Sequence, residues 1–232
     1  NHDKLSKAVA AKVIELINLK PNASIALPTG ETPKKLYSFL VAASKSGKVN
    51  FRGTRFFALD EYAGLSPENK NSFSSFLMNR FLLKVGAKCS NVFLLDGSMR
   101  NLKKACVAHE SEIKRFKIDL CLLGLGRNGH IAFNEPGSQL KSVTRVVKLS
   151  KQTREVNGKC FKEGITPAYA ITVGLKTITE NSRSILIFAS GKGKASAVSC
   201  ILKGRVKNCP AAVIRQHLGA SVFVDRSAAS KI

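Results

Sequence analysis

Asp119-Leu-Cys-Leu-Leu-Gly124-Leu-Gly-Arg-Asn-Gly-His130-Ile-Ala-Phe-Asn-Glu135-Pro-Gly137 sets a short apolar run directly against glycines and then a histidine, an amide and a carboxylate. The run Asp119–Gly124 is too short for a helix of ordinary length and shows no polar–apolar alternation. It suits a strand buried on both faces, as in a parallel sheet. The glycines after it let the backbone crowd a ligand and accept positive φ. A histidine titrates near neutrality and can move protons. Glu135, five residues on, can orient the ring or stabilise its cation. His130 in this setting reads as functional.

The same strand pattern recurs at Ser24–Pro28, Thr54–Asp60, Asn91–Leu95, Ala168–Val173, Ser184–Ala189 and Ser221–Asp225. Amphipathic stretches lie between them: Leu5–Leu19, Lys34–Ala43, Ser72–Leu83, Leu102–Phe116 and Gly193–Leu202. In the first, Leu5, Val9, Val13, Leu16 and Ile17 recur at helical spacing. Pro33 sits where a helix can begin, with Thr32 as its cap. Strand–helix–strand repetition predicts an α/β chain, a mostly parallel sheet with helices on both faces. No internal repeat or linker divides it, so residues 1–232 read as a single domain. The polar, basic segment 140–167, with Thr144–Leu149 as its one strand, is a candidate lid.

Ligands of such sheets bind beyond the carboxyl ends of the strands. Two further turns lie there. In Leu27-Pro-Thr29-Gly30-Glu31-Thr32-Pro33, a glycine turn opens a helix, a place where amides and hydroxyls gather an anion. It lacks the lysine of a Walker A loop and the glycines of a dinucleotide loop, which argues against ATP and NAD. In Leu59-Asp60-Glu61-Tyr62, two carboxylates end an apolar run. One of them facing the crevice suits a general base; the plainer reading is a solvated turn or a helix cap.

The bulk numbers exclude several classes. The 232 residues carry 38 Lys plus Arg against 15 Asp plus Glu, a net charge of +23. This favours anionic partners, yet the bases are scattered, without the runs or aromatic interleaving of a nucleic-acid surface. There is no apolar run long enough for a membrane helix and no secretory core over Asn1–Lys12, so a cytoplasmic protein with no membrane partner is expected. The six cysteines, at 89, 106, 121, 160, 200 and 209, form no C-x-x-C and read as small buried hydrophobes. Four histidines without a Cys/His cluster give no metal site.

Taken together, LPTGETP, LDEYAGL and LGLGRNGHIAFNEPG resemble the glucosamine-6-phosphate deaminase family, in matching order from about Ser24 to Asp225, with further similar pieces at 150–158, 165–175 and 190–195. The resemblance implies a modified doubly wound, Rossmann-like domain and conversion of glucosamine 6-phosphate and water to fructose 6-phosphate and ammonia, in amino-sugar catabolism, with no cofactor. It places the proton-transfer base at Asp60 and the ring-opening histidine at His130, assisted by Glu135, with Asn128 where some members carry Asp. The phosphate loop falls on Thr29, Gly30, Glu31 and Thr32, with the charge of Glu31 turned away. The phosphate-binding lysine falls on Lys194, and an arginine of some members falls on Lys159. Gly124, Gly126, Gly129 and Ala132 line the substrate loop. Positions matching an effector site in hexameric members are Ser138, Arg145 and Val147, the last replacing a lysine. With the chain ending near Ile232, without the C-terminal extension of those members, this implies weak or absent activation and a monomer, a homo-oligomer remaining the alternative.

Two rival functions are carried forward. A 6-phosphogluconolactonase shares the general fold and uses a histidine in a related loop, but NEP after GHIAF and LDEY upstream favour the deaminase. A sugar-phosphate sensor or nucleic-acid-binding protein exploiting the positive charge would be expected to carry a DNA-binding segment, which the sequence does not show.

Overall fold

The computed structural model describes residues 1–158, 161 and 166–232; of the expected site, Lys159 lies outside the described residues, as does Cys160. In chain order the helices and strands are α1 (His2–Leu19), β1 (Ser24–Leu27), α2 (Pro33–Lys45), β2 (Arg55–Ala58), β3 (Asp60–Tyr62), α3 (Phe73–Leu77), β4 (Val92–Phe93), α4 (Leu102–Phe116), β5 (Ile118–Gly124), β6 (Arg145–Lys148), α5 (Lys151–Gly158), β7 (Tyr169–Thr172), α6 (Leu175–Asn181), β8 (Ser182–Ala189), α7 (Ala195–Lys203) and β9 (Ala220–Val224).

Six strands form one parallel sheet in the order β4-β2-β1-β5-β8-β9. Numbered among themselves in chain order, they lie 3-2-1-4-5-6, the doubly wound arrangement. Their side chains explain the unbroken apolar runs. Ala26, Phe57, Cys121, Leu123, Ile185 and Ile187 point to one face and pack with Ile113 of α4, Ile178 of α6 and Val198 of α7. Ile25, Leu27, Phe56, Leu120, Leu122, Leu186 and Phe188 point to the other, against Val9 and Val13 of α1 and Leu36 and Leu40 of α2. Each large side chain so buried contributes about 1.5–3 kcal/mol, which makes β5, covered on both faces, the backbone of the fold.

The stretch Ala168–Val173 does not join that sheet. It forms β7 in a three-stranded antiparallel sheet, β3-β7-β6, with Asp60 opposite Thr172 and Arg145 also paired to Thr172. Burial on both sides gives the same apolar pattern whichever way the neighbour runs. The expected strand Thr54–Asp60 accordingly breaks at Leu59: β2 stays in the large sheet, and the next residue starts the small one.

Other differences have local causes. The expected helix Ser72–Leu83 is α3 followed by a π-helical turn, Met78–Leu82, and a 3₁₀ turn ended by Gly86 at φ 65°. Ser72 caps it, accepting from Ser75 N at 2.9 Å. Pro33 does open α2, but Thr32 has helical backbone angles and makes no side-chain capping bond. Within 140–167, β6 and α5 are ordered elements, so the described part of that segment is not one loose excursion. Cys106, Cys121 and Cys209 are buried as expected, whereas Cys89, on a 3₁₀ turn, is exposed. Among the described residues no helix is long and apolar enough to cross a membrane.

Candidate active site

The order of the large sheet reverses between β1 and β5, and the turns after these strands are those singled out in the sequence. After β1, Gly30 takes φ 92°, open space surrounds the position of a Cβ there, and α2 begins two residues beyond Glu31. The carboxylate of Glu31 is turned to solvent, 83% exposed, and bonds Lys34 Nζ at 2.5 Å. Its charge is thereby drawn away from the turn. Thr29 and Thr32 are half-buried.

After β5 the chain folds back on itself. Gly126 N donates to His130 O at 2.9 Å, and Gly129 N to Gly126 O at 3.1 Å. The imidazole lies against Gly126 so closely that a Cβ there would sit 2.3 Å from ring atoms Nδ1 and Cε1. This is the steric reason for a glycine at 126. Ala132 accepts φ 48°. A Cβ on Gly124 would meet nothing within 4 Å.

The ring is held through a relay. His130 Nδ1 is 2.7 Å from Asn128 Oδ1, and Asn128 Nδ2 donates to Glu135 Oε2 at 2.7 Å. The carboxylate cannot donate, so the amide presents its oxygen to the ring and Nδ1 carries the proton. In the neutral ring, Nε2 is then the free acceptor. Glu135 does not bond the imidazole directly; its Oε2 is 3.8 Å from Nδ1. Its other oxygen accepts from Thr153 Oγ1 of α5. Burial lowers the His130 pKa, the charge of Glu135 opposes this, and Lys194 reinforces it.

The two neighbouring carboxylates part company at the corner between the sheets. Glu61, fully buried, accepts from Phe73 N at 3.0 Å, Ser74 N at 2.8 Å and Tyr62 N at 2.9 Å. It takes the first two amides of α3 and so holds the start of that helix beside the Ser72 cap. Asp60 is 7% exposed, and no hydrogen bond to its side chain occurs among the described residues. Burial, with the adjacent Glu61 charge adding to it, pushes its pKa up to about 8. Such a group holds a proton tightly and is a strong base once deprotonated.

Hydrogen bonds stitch these turns together. Thr172, opposite Asp60, accepts from Phe133 N through Oγ1 at 3.0 Å. Asn134, fully buried, donates to Val173 O at 2.8 Å, while Val173 N donates to Leu59 O at 2.8 Å. Thus β7 ties the histidine loop to the strand that carries Asp60. From the opposite side, Tyr37 Oη donates to Pro28 O at 2.5 Å, and the charge of Asp60 helps to raise the Tyr37 pKa. After β8, the half-buried Lys194 donates to Leu125 O at 2.6 Å, bridging the third turn to the second.

Sequence reasoning did not find Tyr37, Thr153, Thr172, Asn134 or His109. Tyr37 is legible only as a core aromatic, stacked on Phe81 at 5.0 Å. His109 is buried in α4, lies 2.9 Å through Nε2 from Ala58 O, and burial lowers its pKa to about 4. It braces the end of β2 two residues before Asp60. Asn134 sits inside the quoted motif, and its position beside Glu135 was the available signal. Among the described residues no group of three or more His, Cys, Asp or Glu is placed to hold a metal ion. Ser138 and Arg145 meet at 3.3 Å, Oγ to Nη2, and Arg145 also bonds Asn134 Oδ1 at 2.9 Å.

These features define a class: a doubly wound α/β protein with an imidazole, a high-pKa carboxyl and a glycine turn at the reversal point of its sheet. The chain belongs to the glucosamine-6-phosphate isomerase/6-phosphogluconolactonase family, whose model matches residues 1–223. It is 39% identical over 232 residues to a glucosamine-6-phosphate deaminase of Bacillus velezensis, covering 99% of this chain and 96% of that one. It is 37% identical to glucosamine-6-phosphate deaminase 2 of Bacillus subtilis, covering 100% and 95%. A solved monomeric glucosamine-6-phosphate deaminase superposes with a TM-score of 0.96 at 37% identity, over 100% of this chain and 97% of that one. The 6-phosphogluconolactonase of Trypanosoma brucei superposes at 0.77 with 24% identity, over 100% and 96%, a likeness of fold alone.

Proposed function

We propose that the chain converts glucosamine 6-phosphate and water to fructose 6-phosphate and ammonia. The observation that carries this reading is the buried Asp60, with a raised pKa and no side-chain hydrogen bond among the described residues, set at the same sheet edge as an imidazole of fixed tautomer. The deaminases of 37–39% identity, matched end to end, support it over lactone hydrolysis.

The substrate's phosphate lies against the amides of Thr29–Thr32 and the ammonium of Lys194, with Lys159 as a further cation. Binding energy from that remote end positions the reacting carbons. His130 accepts the C1 hydroxyl proton at Nε2 and returns a proton to the ring oxygen, opening the pyranose. Asn128 and Glu135 keep the ring aimed while it is charged. Asp60 then takes the proton from C2, the electron pair moves into a C1–C2 double bond, and the C1 carbonyl pair shifts to O1, which takes a proton from the substrate's ammonium to give a neutral enolamine. Returning the proton to C1 leaves an imine at C2. Water adds there, the C–N bond breaks, and ammonia leaves with the ketose formed. The substrate's ammonium draws the Asp60 proton off on binding, because a nearby cation favours the carboxylate.

Residues 1–232 act as one domain in this reading. The segment 140–167 is the lid, with α5 reaching the site through Thr153. The cytoplasm is the expected location and a monomer the expected state, as for the monomeric deaminase it resembles. Activation by N-acetylglucosamine 6-phosphate is weak or absent, since Val147 supplies no charge. The test is direct: ammonia and fructose 6-phosphate should appear in equal amounts from glucosamine 6-phosphate. Hydrolysis of 6-phosphogluconolactone without ammonia release would select the lactonase instead.

A further inference from the structure

Lys194 is not alone beside the switch point. Arg127, in the turn after β5, lays its guanidinium across the turn after β8: its Nε is 3.8 Å from where a Cβ of Gly193 would stand. Lys194, the next residue, reaches back to the carbonyl of Leu125, two residues before Arg127. The two cations therefore sit on interlocked turns. The charge of Arg127 is felt by Lys194, whose pKa is lowered by burial first and by Arg127 second. Among the described residues neither forms an ion pair, and the Arg127 side chain makes no hydrogen bond. Lys194 uses one of its three donors on Leu125 O.

Arg127 is solvent-exposed, which weakens but does not abolish its repulsion of the half-buried Lys194, and an anion between them relieves it. The surroundings suit one. The helices on either side, α2 and α7, leave their first amides without a side-chain cap, as α6 also does, so those amides are open to an anion. A planar guanidinium also matches the oxygens of a phosphate bidentately.

We propose that Arg127 is an additional phosphate-binding cation, gripping the substrate's phosphate together with Lys194. The proposal rests on the sugar-phosphate reading given above and adds a residue to it. Arg127 touches the phosphate and not the reacting carbons, so it governs affinity.

The test uses the whole chain with Arg127→Gln, Arg127→Lys and, as a control for diffuse charge, Lys192→Gln on the neighbouring exposed turn. KM and kcat are read by ammonia release, and inorganic phosphate is titrated as a competitive inhibitor. Arg127→Gln should raise both KM and the phosphate inhibition constant about tenfold, the loss of a charge-assisted hydrogen bond, with kcat nearly unchanged. Arg127→Lys should recover part of that affinity, and Lys192→Gln should leave it nearly intact. Equal effects of Arg127→Gln and Lys192→Gln, or an unchanged inhibition constant in Arg127→Gln, would overturn the proposal. Should wild-type protein release no ammonia, the function is wrong; calorimetric binding of inorganic phosphate to wild type and Arg127→Gln then decides the role of Arg127 independently.

Discussion

At the amino-terminal edge of the parallel sheet, polar groups meet partners. Asp119 takes the Ser24 amide at 2.9 Å and Lys20 Nζ at 2.8 Å, Lys117 Nζ bonds Asn181 Oδ1 at 2.7 Å, and His217 Nε2 lies 2.8 Å from Ser182 O. At the opposite edge, Asp60 is buried without a hydrogen bond among the described residues, and Arg127 lies over the turn that carries Lys194 with no acid paired to either among the described residues. The charged groups of the first edge are thus paired, although Ser24 Oγ and Ser182 Oγ there find no partner among the described residues, whereas the second edge holds a carboxyl and two cations with no opposite charge beside them. The first arrangement stabilises; the second stores unmet electrostatic demand that a substrate can satisfy.

The contrast is sharpest at Asp60. Asp60→Asn should lower kcat by roughly 10²–10⁴-fold while substrate still binds. Its effect on stability should have the opposite sign. A carboxyl whose folded pKa is about 8 against an ordinary 3.8 weakens the fold as pH climbs between those values. The variant should therefore melt higher than wild type, by about 2–4 °C for each kcal/mol gained, more at pH 8 than at pH 5. In wild type, kcat/KM should rise with pH through about 8 as Asp60 ionises, with the limb for kcat displaced lower by the bound ammonium. A variant that melts lower and turns over normally would erase the distinction between the two edges.

A smaller effect should follow from Gly126→Ala. The new methyl would meet the His130 ring at 2.3 Å, so the imidazole must move. A displacement of that order should cut kcat by roughly 10²-fold while the far-ultraviolet circular dichroism spectrum is retained. The smallest catalytic effect belongs to the amino-terminal edge. Asp119→Ala should remove about 1–2 kcal/mol from the unfolding free energy in urea and leave kcat within about twofold. A large loss of turnover there would show that the edges are not independent.

Much of this was legible in the residues. Burial on both faces writes strands as unbroken apolar runs, which is why β1, β5 and β8 were found near their observed limits. Those runs carry no mark of their neighbour's direction, so β7 was placed with the parallel strands when it pairs antiparallel to β3. The glycines around His130 point to the loop by their tolerance of positive φ and close approach, but that Gly126 makes room for the His130 ring itself is visible only in the structure. The division of labour between Asp60 and Glu61 was not readable, because it depends on Phe73 and Ser74, which present their amides to one carboxylate only. Tyr37 and Thr153 act from elements whose own sequence says only core helix and polar segment.

Leu59 is the single residue between β2 and β3, and hence between the two sheets. Its carbonyl is claimed by Val173, the residue just after β7 of the small sheet, while Ala58 before it is registered on Leu27 of the large one. The aim of the Asp60 carboxyl is therefore the resultant of two docked frames. In the mechanism proposed above, repacking the interface between the sheets would re-aim this carboxyl toward a neighbouring carbon without altering a residue of the crevice, a route by which one scaffold would acquire different regiochemistry.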